Sequence, residues 1–289
     1  MLAPLAELLQ LLELEPLEVD LFRGASRDIG SPQVYGGQVL GQALGAAYAT
    51  VPQRHVHSLH AYFLRRGDFN APIVYQVDRS RDGGSFSSRR VVAIQHGKQI
   101  FHMAASFHEN EPGLEHQVDM PSVPAPDSLP DLRDLIDTEA AALPPAVQRF
   151  AGRDAPFEFR AVQQLDYPDP KPGPPRLDVW FRAVDTVGVD PRRNAELLAY
   201  VSDYHLVATS MLPHGYSLGS RGVVAASIDH AMWFHRPARV DEWLLYSIES
   251  PAAAGARGFA RGSIFTQQGV LVASTAQEGL IRAPARKDG

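Results

Sequence analysis

The chain has 289 residues, 45% of them hydrophobic and 21% charged, enough apolar material for a substantial core and more in keeping with two compact units than one. A net charge of −6, with no run of five like charges, gives no reason to expect nucleic acid or a membrane as a partner. Cysteine is absent, which excludes disulfides, thiolate metal sites and a Cys nucleophile.

Met1–Leu17 is leucine-rich, but Glu7, Glu13 and Glu15 punctuate it, Pro4 and Pro16 bracket it, and no basic segment leads it. It predicts a short amphipathic helix packed on the body, not a signal peptide. No apolar run approaches the ~20 residues of a membrane-spanning helix, and the chain does not end in a peroxisomal tripeptide, so a cytoplasmic protein is expected. Gly36–Thr50 is uncharged and predicts a helix with Gly37, Gly41 and Gly45 on one face. Each glycine weakens a helix by about 1 kcal/mol relative to alanine, so three in line predict a sheet approaching that face, with strands wrapped around the helix. β-type runs follow, with a hairpin turn at Gln95-His96-Gly97. Proline is dense between Pro112 and Pro175, which forbids regular sheet and predicts an ordered surface crossover with one short helix near Leu129–Ala141. A second apolar helix is predicted over Ala195–Met211, followed again by β-type runs and a turn at Gln267-Gln268-Gly269.

The two stretches of β-type runs match each other. Tyr62-Phe63-Leu64-Arg65 faces Trp233-Phe234-His235-Arg236 at a separation of 171, Ile73–Asp78 faces Leu244–Glu249 and Gly84 faces Gly255 at the same separation, and the two polar glycine turns match at 172. A helix followed by several antiparallel strands, twice over, is an α+β pattern. The expected organisation is an N-terminal unit over residues 1–111, a Pro-rich crossover over 112–155 and a C-terminal unit over 156–289.

Three polar residues break the match. Asp203 has Ala199, Tyr200, Leu206 and Val207 as its helical neighbours, so its carboxylate falls on the face that should be buried, where it would be costly unless hydrogen-bonded and its pKa would rise. A hydrogen-bonded core Asp or a helix break is the ordinary reading of such a residue. The first helix, however, contains no acidic residue at all. Ser227 faces Val56 at 171, and Gln277 faces Ala105 at 172. An acid, a hydroxyl and an amide that break the repeat together suit one site that holds a water, the carboxylate acting as general base. The uncharged helix start at Gly36-Gly37-Gln38 is a candidate source of oxyanion donors.

Val34-Tyr35-Gly36-Gly37-Gln38-Val39-Leu40-Gly41-Gln42-Ala43-Leu44, His57–Arg65, Ser85–Val91, Ile228–Pro237 and Val272–Gly279 resemble the signatures of the acyl-CoA thioesterase II family, from about Leu2 to Arg282. The resemblance implies a double hotdog fold, each half a long helix wrapped by an antiparallel sheet, and hydrolysis of fatty acyl-CoA to free acid and CoA. It implies no metal or organic cofactor, and a homodimer or homotetramer. The family's Asp, Thr/Ser and Gln site falls on Asp203, Ser227 and Gln277. Bacterial members usually carry Thr where this chain has Ser227, which implies a looser site with the same hydroxyl, and Arg66 stands where relatives often have Pro.

Other readings compete. Gly215-Tyr216-Ser217-Leu218-Gly219 spells the nucleophile elbow of α/β-hydrolases, but no buried strand precedes it and no helix follows. His57 and His60 fall on opposite faces of a regular strand, as do His230 and His235, so neither pair makes a ready chelate. His57 is a minor candidate for substrate contact, the others being packed or surface residues. Gly37 and Gln38 are further substrate-binding candidates. Arg65, Arg89, Arg90, Arg236 and Arg261 are candidates for the CoA phosphates, with a surface salt bridge as the ordinary reading of each. A hotdog dehydratase, which would want a His and a carboxylate across the pocket, or a non-catalytic acyl-CoA binder is the alternative class.

Overall fold

The computed structural model describes residues 2–31, 33–134, 155–163 and 170–284. Helix α1 (Ala3–Leu12) buries Leu5, Leu8, Leu11 and Leu12, the i, i+3, i+6, i+7 stripe of an amphipathic helix. It is shorter than the sequence predicts, because Glu15–Glu18 is already strand β1, paired with β2 (Leu21–Gly24). Helix α2 (Gly36–Tyr48) follows, then β3 (His55–Phe63), β4 (Ile73–Asp82), β5 (Phe86–Gln95) and β6 (Lys98–His108). His96 and Gly97 both take positive φ, the requirement of a two-residue hairpin turn. Of the short helix predicted near Leu129–Ala141, the described part is a helical turn at 132–134, preceded by a 3-10 turn at Pro126–Ser128; residues 135–141 lie outside the described residues.

The second half contributes β7 (Phe157–Ala161), β8 (Arg176–Ala183), α3 (Pro191–Ser202), α4 (Leu206–Thr209), β9 (Val224–Ser227), β10 (Asp229–Phe234), β11 (Leu244–Ala254), β12 (Arg257–Thr266) and β13 (Leu271–Arg282). All thirteen strands join one sheet in the order β1-β2-β4-β5-β6-β3-β10-β13-β12-β11-β8-β7, with β9 alongside β13. The order reads the same from both ends, each strand opposite its counterpart in the other half. The halves meet where β3 and β10 pair antiparallel, Leu59 opposite Met232 and Ala61 opposite His230. The apolar core fills the space between this sheet and the helices.

The glycine stripe of α2 does not meet a sheet, as expected, but helix α3. A Cβ at Gly41 would lie 3.1 Å from the Glu196 carbonyl oxygen, and one at Gly45 would lie 3.4 Å from Glu196 Oε1. The contact is tight at Gly41 and loosens to ordinary van der Waals distance at Gly45. A second correction concerns His57, the extra residue of a bulge where β3 meets β6. The bulge shifts the two-residue alternation by one, so His57 and His60 share the outer face instead of opposite ones. Among the described residues no helix is long and apolar enough to cross a membrane.

Candidate active site

The helix predicted over Ala195–Met211 is broken in two at Asp203. Asp203 caps the C-terminus of α3 with helical dihedrals, and His205 takes a left-handed φ of 70° before α4 begins. Tyr204 and His205 both pack on Phe159, with ring centroids 5.0 and 5.2 Å away. A continuous helix would aim these neighbours about 100° apart; with the break, both reach the same ring.

The break sets Asp203 at the C-terminus of α3 and against the first turn of α2. The N-cap of α2, Tyr35, offers no side-chain acceptor, and the Gly37 N–H donates to the Asp203 carboxylate instead. One of the N–H groups that a helix start leaves without an intrahelical partner is thereby satisfied from another helix. Ser227, at the end of β9, and Gln277, on the inner face of β13, approach from the other side. Gln277 Nε2 donates to Asp203 Oδ1 at 2.6 Å, and Ser227 Oγ donates to the same oxygen at 3.2 Å. The three residues that break the repeat are therefore in mutual contact around one carboxylate.

That carboxylate is buried, its side chain 4% exposed. Burial raises its pKa to about 6, against the lowering effect of Gln277, Ser227 and the Gly37 N–H. Oδ2 lies toward Gly36, where an added Cβ would come within 2.6 Å of it. Gly36, Val39, Phe63, Arg65, Ile100 and Ser227 line a cavity of about 50 Å³ at this point. Gln277 Oε1 is buried without a hydrogen-bond partner, an acceptor placed beside a base. The site can thus accept a proton and orient a small donor such as water.

The corresponding place in the first half is closed. The Tyr48 hydroxyl there accepts from the Val56 N–H at 3.0 Å, and Val56 and Ala105 stand where Ser227 and Gln277 stand in the second half. The fold repeats; the chemistry does not.

The other candidates separate clearly. Arg65 is exposed and lines the cavity, donating to the Gln99 carbonyl at 2.5 Å. Arg89 is buried, with all five N–H donors committed to Thr50 Oγ1, the Thr50, Arg81 and Ser88 carbonyls and Asp82; it holds the β4–β5 hairpin and has no donor left for a phosphate. Gln38 turns away from the site, its Nε2 donating to the Ala25 carbonyl at 3.1 Å. The Gln38 N–H bonds the Tyr35 carbonyl and that of Gly37 bonds Asp203, so neither is a spare oxyanion donor. His57 lies on the outer face with Phe86 and His108, its Nε2 2.8 Å from Ser106 Oγ. Arg236 and Arg261 pair with Glu115 and Glu249. Ser217 is no elbow: its Oγ accepts from the Gly219 N–H at 3.1 Å in a loop that leads into β9.

One residue of the site was missed as such. His230 is 1% exposed, with Nδ1 3.1 Å from Gln277 Nε2 and Nε2 2.9 Å from Ser202 Oγ. The signal was in the repeat: His230 faces Leu59 at the same separation of 171.

Two helices set side by side against a palindromic antiparallel sheet, with a buried carboxylate, hydroxyl and amide gathered at their junction, define a double hotdog protein. Residues 24–108 match the family model for the acyl-CoA thioesterase N-terminal domain, and residues 172–280 that for acyl-CoA thioesterase. Acyl-coenzyme A thioesterase 8 of Homo sapiens is 43% identical, over 94% of this chain and 87% of its own length. Acyl-CoA thioesterase 2 of Haemophilus influenzae is 44% identical, over 96% and 98%. The crystal structure of acyl-CoA thioesterase II TesB2 from Mycobacterium marinum superimposes with a TM-score of 0.78 at 42% identity, covering 96% of this chain and 99% of that one. The chain belongs to the acyl-CoA thioesterase family.

Proposed function

We propose that the protein hydrolyses fatty acyl-CoA to free fatty acid and CoA by direct attack of a water held by Asp203, Ser227 and Gln277. The observation that carries this reading is the buried Asp203 carboxylate, anchored through Oδ1 by an amide and a hydroxyl, with Oδ2 beside Gly36, which lines the cavity together with Ser227. The water donates one hydrogen to Oδ2 and the other to Gln277 Oε1. As its oxygen bonds to the thioester carbon, Asp203 takes a proton and the carbonyl oxygen becomes the oxyanion. Collapse of that intermediate breaks the carbon–sulfur bond, and Asp203 returns the proton to the departing sulfur. Water and thioester are consumed, acid and thiol are formed, and the aspartate is regenerated.

A dehydratase is less well supported. His230 Nδ1 does lie 4.0 Å from Asp203 Oδ1, but both ring nitrogens are occupied, and burial lowers its pKa to about 3. The ring is neutral behind Gln277, not charged and facing a substrate. A pure binder would have no use for a buried base. The test is release of free thiol from acyl-CoAs of varied chain length; wild-type protein that releases none from any of them refutes the reading.

The reading also places the CoA phosphates near Arg65 rather than Arg89. Arg89→Ala should lower stability by about 2–4 kcal/mol in urea unfolding, because it empties a buried site and leaves the Thr50 hydroxyl and carbonyl without their donor, while KM for acyl-CoA stays within about 2-fold. A large rise in KM with unchanged stability would return Arg89 to the binding site.

A further inference from the structure

We propose that His230 is a positioning residue whose unprotonated Nδ1 fixes the Gln277 amide with nitrogen toward Asp203 and oxygen toward the water. The inference rests on the hydrolytic reading above. Its starting point is a chain of hydrogen bonds that runs from helix α3 to the carboxylate. Ser202 Oγ donates its single hydrogen to the Ala199 carbonyl at 2.9 Å. The same oxygen is 2.9 Å from His230 Nε2, so it accepts there and Nε2 carries the ring hydrogen. Nδ1 is then bare, and at 3.1 Å it accepts from Gln277 Nε2. The other hydrogen of that amide nitrogen goes to Asp203 Oδ1 at 2.6 Å.

Both amide hydrogens are thereby committed, and Oε1 is left buried without a partner. The opposite amide orientation would set Oε1 against the ionised carboxylate and against the lone pair of Nδ1. Two like-signed contacts in a site this dry are more costly than in water. The ionised Asp203 and Ser202 therefore select one arrangement from opposite ends, and His230 transmits the selection. The ring is 1% exposed, and its lowered pKa keeps it uncharged across the working range. It never touches the reacting atoms; it acts through Gln277.

Substitution separates the hydrogen-bond role from mere packing. His230→Phe keeps a flat ring but offers no acceptor. It should lower kcat for acyl-CoA hydrolysis about 10²-fold, the typical loss for one preorganised polar contact to a reacting group, with KM within about 3-fold. His230→Asn places an amide oxygen near the position of Nδ1 and should keep kcat within about 5-fold of wild type. Wild-type kcat in the phenylalanine variant, or equal losses in both variants, overturns the proposal. The wild-type protein supplies a measurement that needs neither variant to fold. Long-range ¹H–¹⁵N spectra at pH 8, with the His230 ring assigned through bonds, should show the neutral form protonated on Nε2, whereas protonation on Nδ1 overturns the proposal. Because that spectrum requires no substrate, its result stands apart from whether the protein releases CoA.

Discussion

Asp203→Asn should lower kcat for acyl-CoA hydrolysis about 10³-fold or more while making the protein more stable at pH 8. The loss follows from removing the buried carboxylate beside the cavity, where general base catalysis is typically worth 10²–10⁴. The gain follows from burial, which raises the carboxyl from its ordinary 3.8 to about 6. Below about pH 4 the folded and the unfolded chain both hold the proton, and the residue costs nothing. Between pH 4 and 6 the unfolded chain ionises first, so stability falls as pH rises. Above pH 6 the folded protein carries the full cost of the buried charge, about 3 kcal/mol. Asparagine has no charge to bury, so urea unfolding of the two proteins should diverge from pH 4 to 6 and stay apart above it. Wild-type kcat/KM should rise over the same range as the active carboxylate forms. Full kcat in the variant would remove Asp203 from the chemistry. A loss of only ~10-fold would assign it to holding the water and not to taking its proton.

The sequence carried the twofold helix-and-strands pattern and the three polar residues for one physical reason. Duplication supplies an internal control, and a buried acid, hydroxyl or amide shows up when its counterpart is apolar. Ser227 against Val56 and Gln277 against Ala105 were found in that way, and His230 against Leu59 was open to the same comparison. A break at Asp203 was one of the readings open in the sequence, but Ala199, Tyr200, Leu206 and Val207 are apolar whether the helix continues or turns, so the pattern did not choose it. At the break, Tyr204 and His205 both pack on Phe159, which is distant in sequence. Arg89 misled for a similar reason: an arginine on a strand suggests a solvent-facing charge, and its partners at Thr50 lie 39 positions away. The slip at His57 came from a bulge, which no two-residue period reveals. Local pattern located the elements; the contacts that fix their ends are long-range.

Gly37→Ala should be the most damaging single-methyl change along the α2–α3 contact. A Cβ there would fall inside contact distance of the Tyr200 carbonyl oxygen and of the Tyr35 ring. Neither can give way cheaply: the first is backbone of a buried helix, and the second sits between Tyr200 and Tyr204. The helices must separate, at a cost of about 3 kcal/mol by the usual measure of overpacked cores, or roughly 6–12 °C in melting temperature. Separation also draws the Gly37 N–H away from Asp203, so kcat should fall although the altered residue is not the base. Gly45→Ala is the control at the other end of the stripe. Its Cβ would meet the ends of the Glu196 and Leu14 side chains, at 3.4 and 3.9 Å, and alanine favours the helix by up to about 1 kcal/mol. That variant should melt at or slightly above the wild-type temperature with unchanged kcat. If Gly37→Ala and Gly45→Ala melted alike, the glycine stripe would not be a helix contact of graded tightness, and the placement of Asp203 at the start of α2 would lose its structural basis.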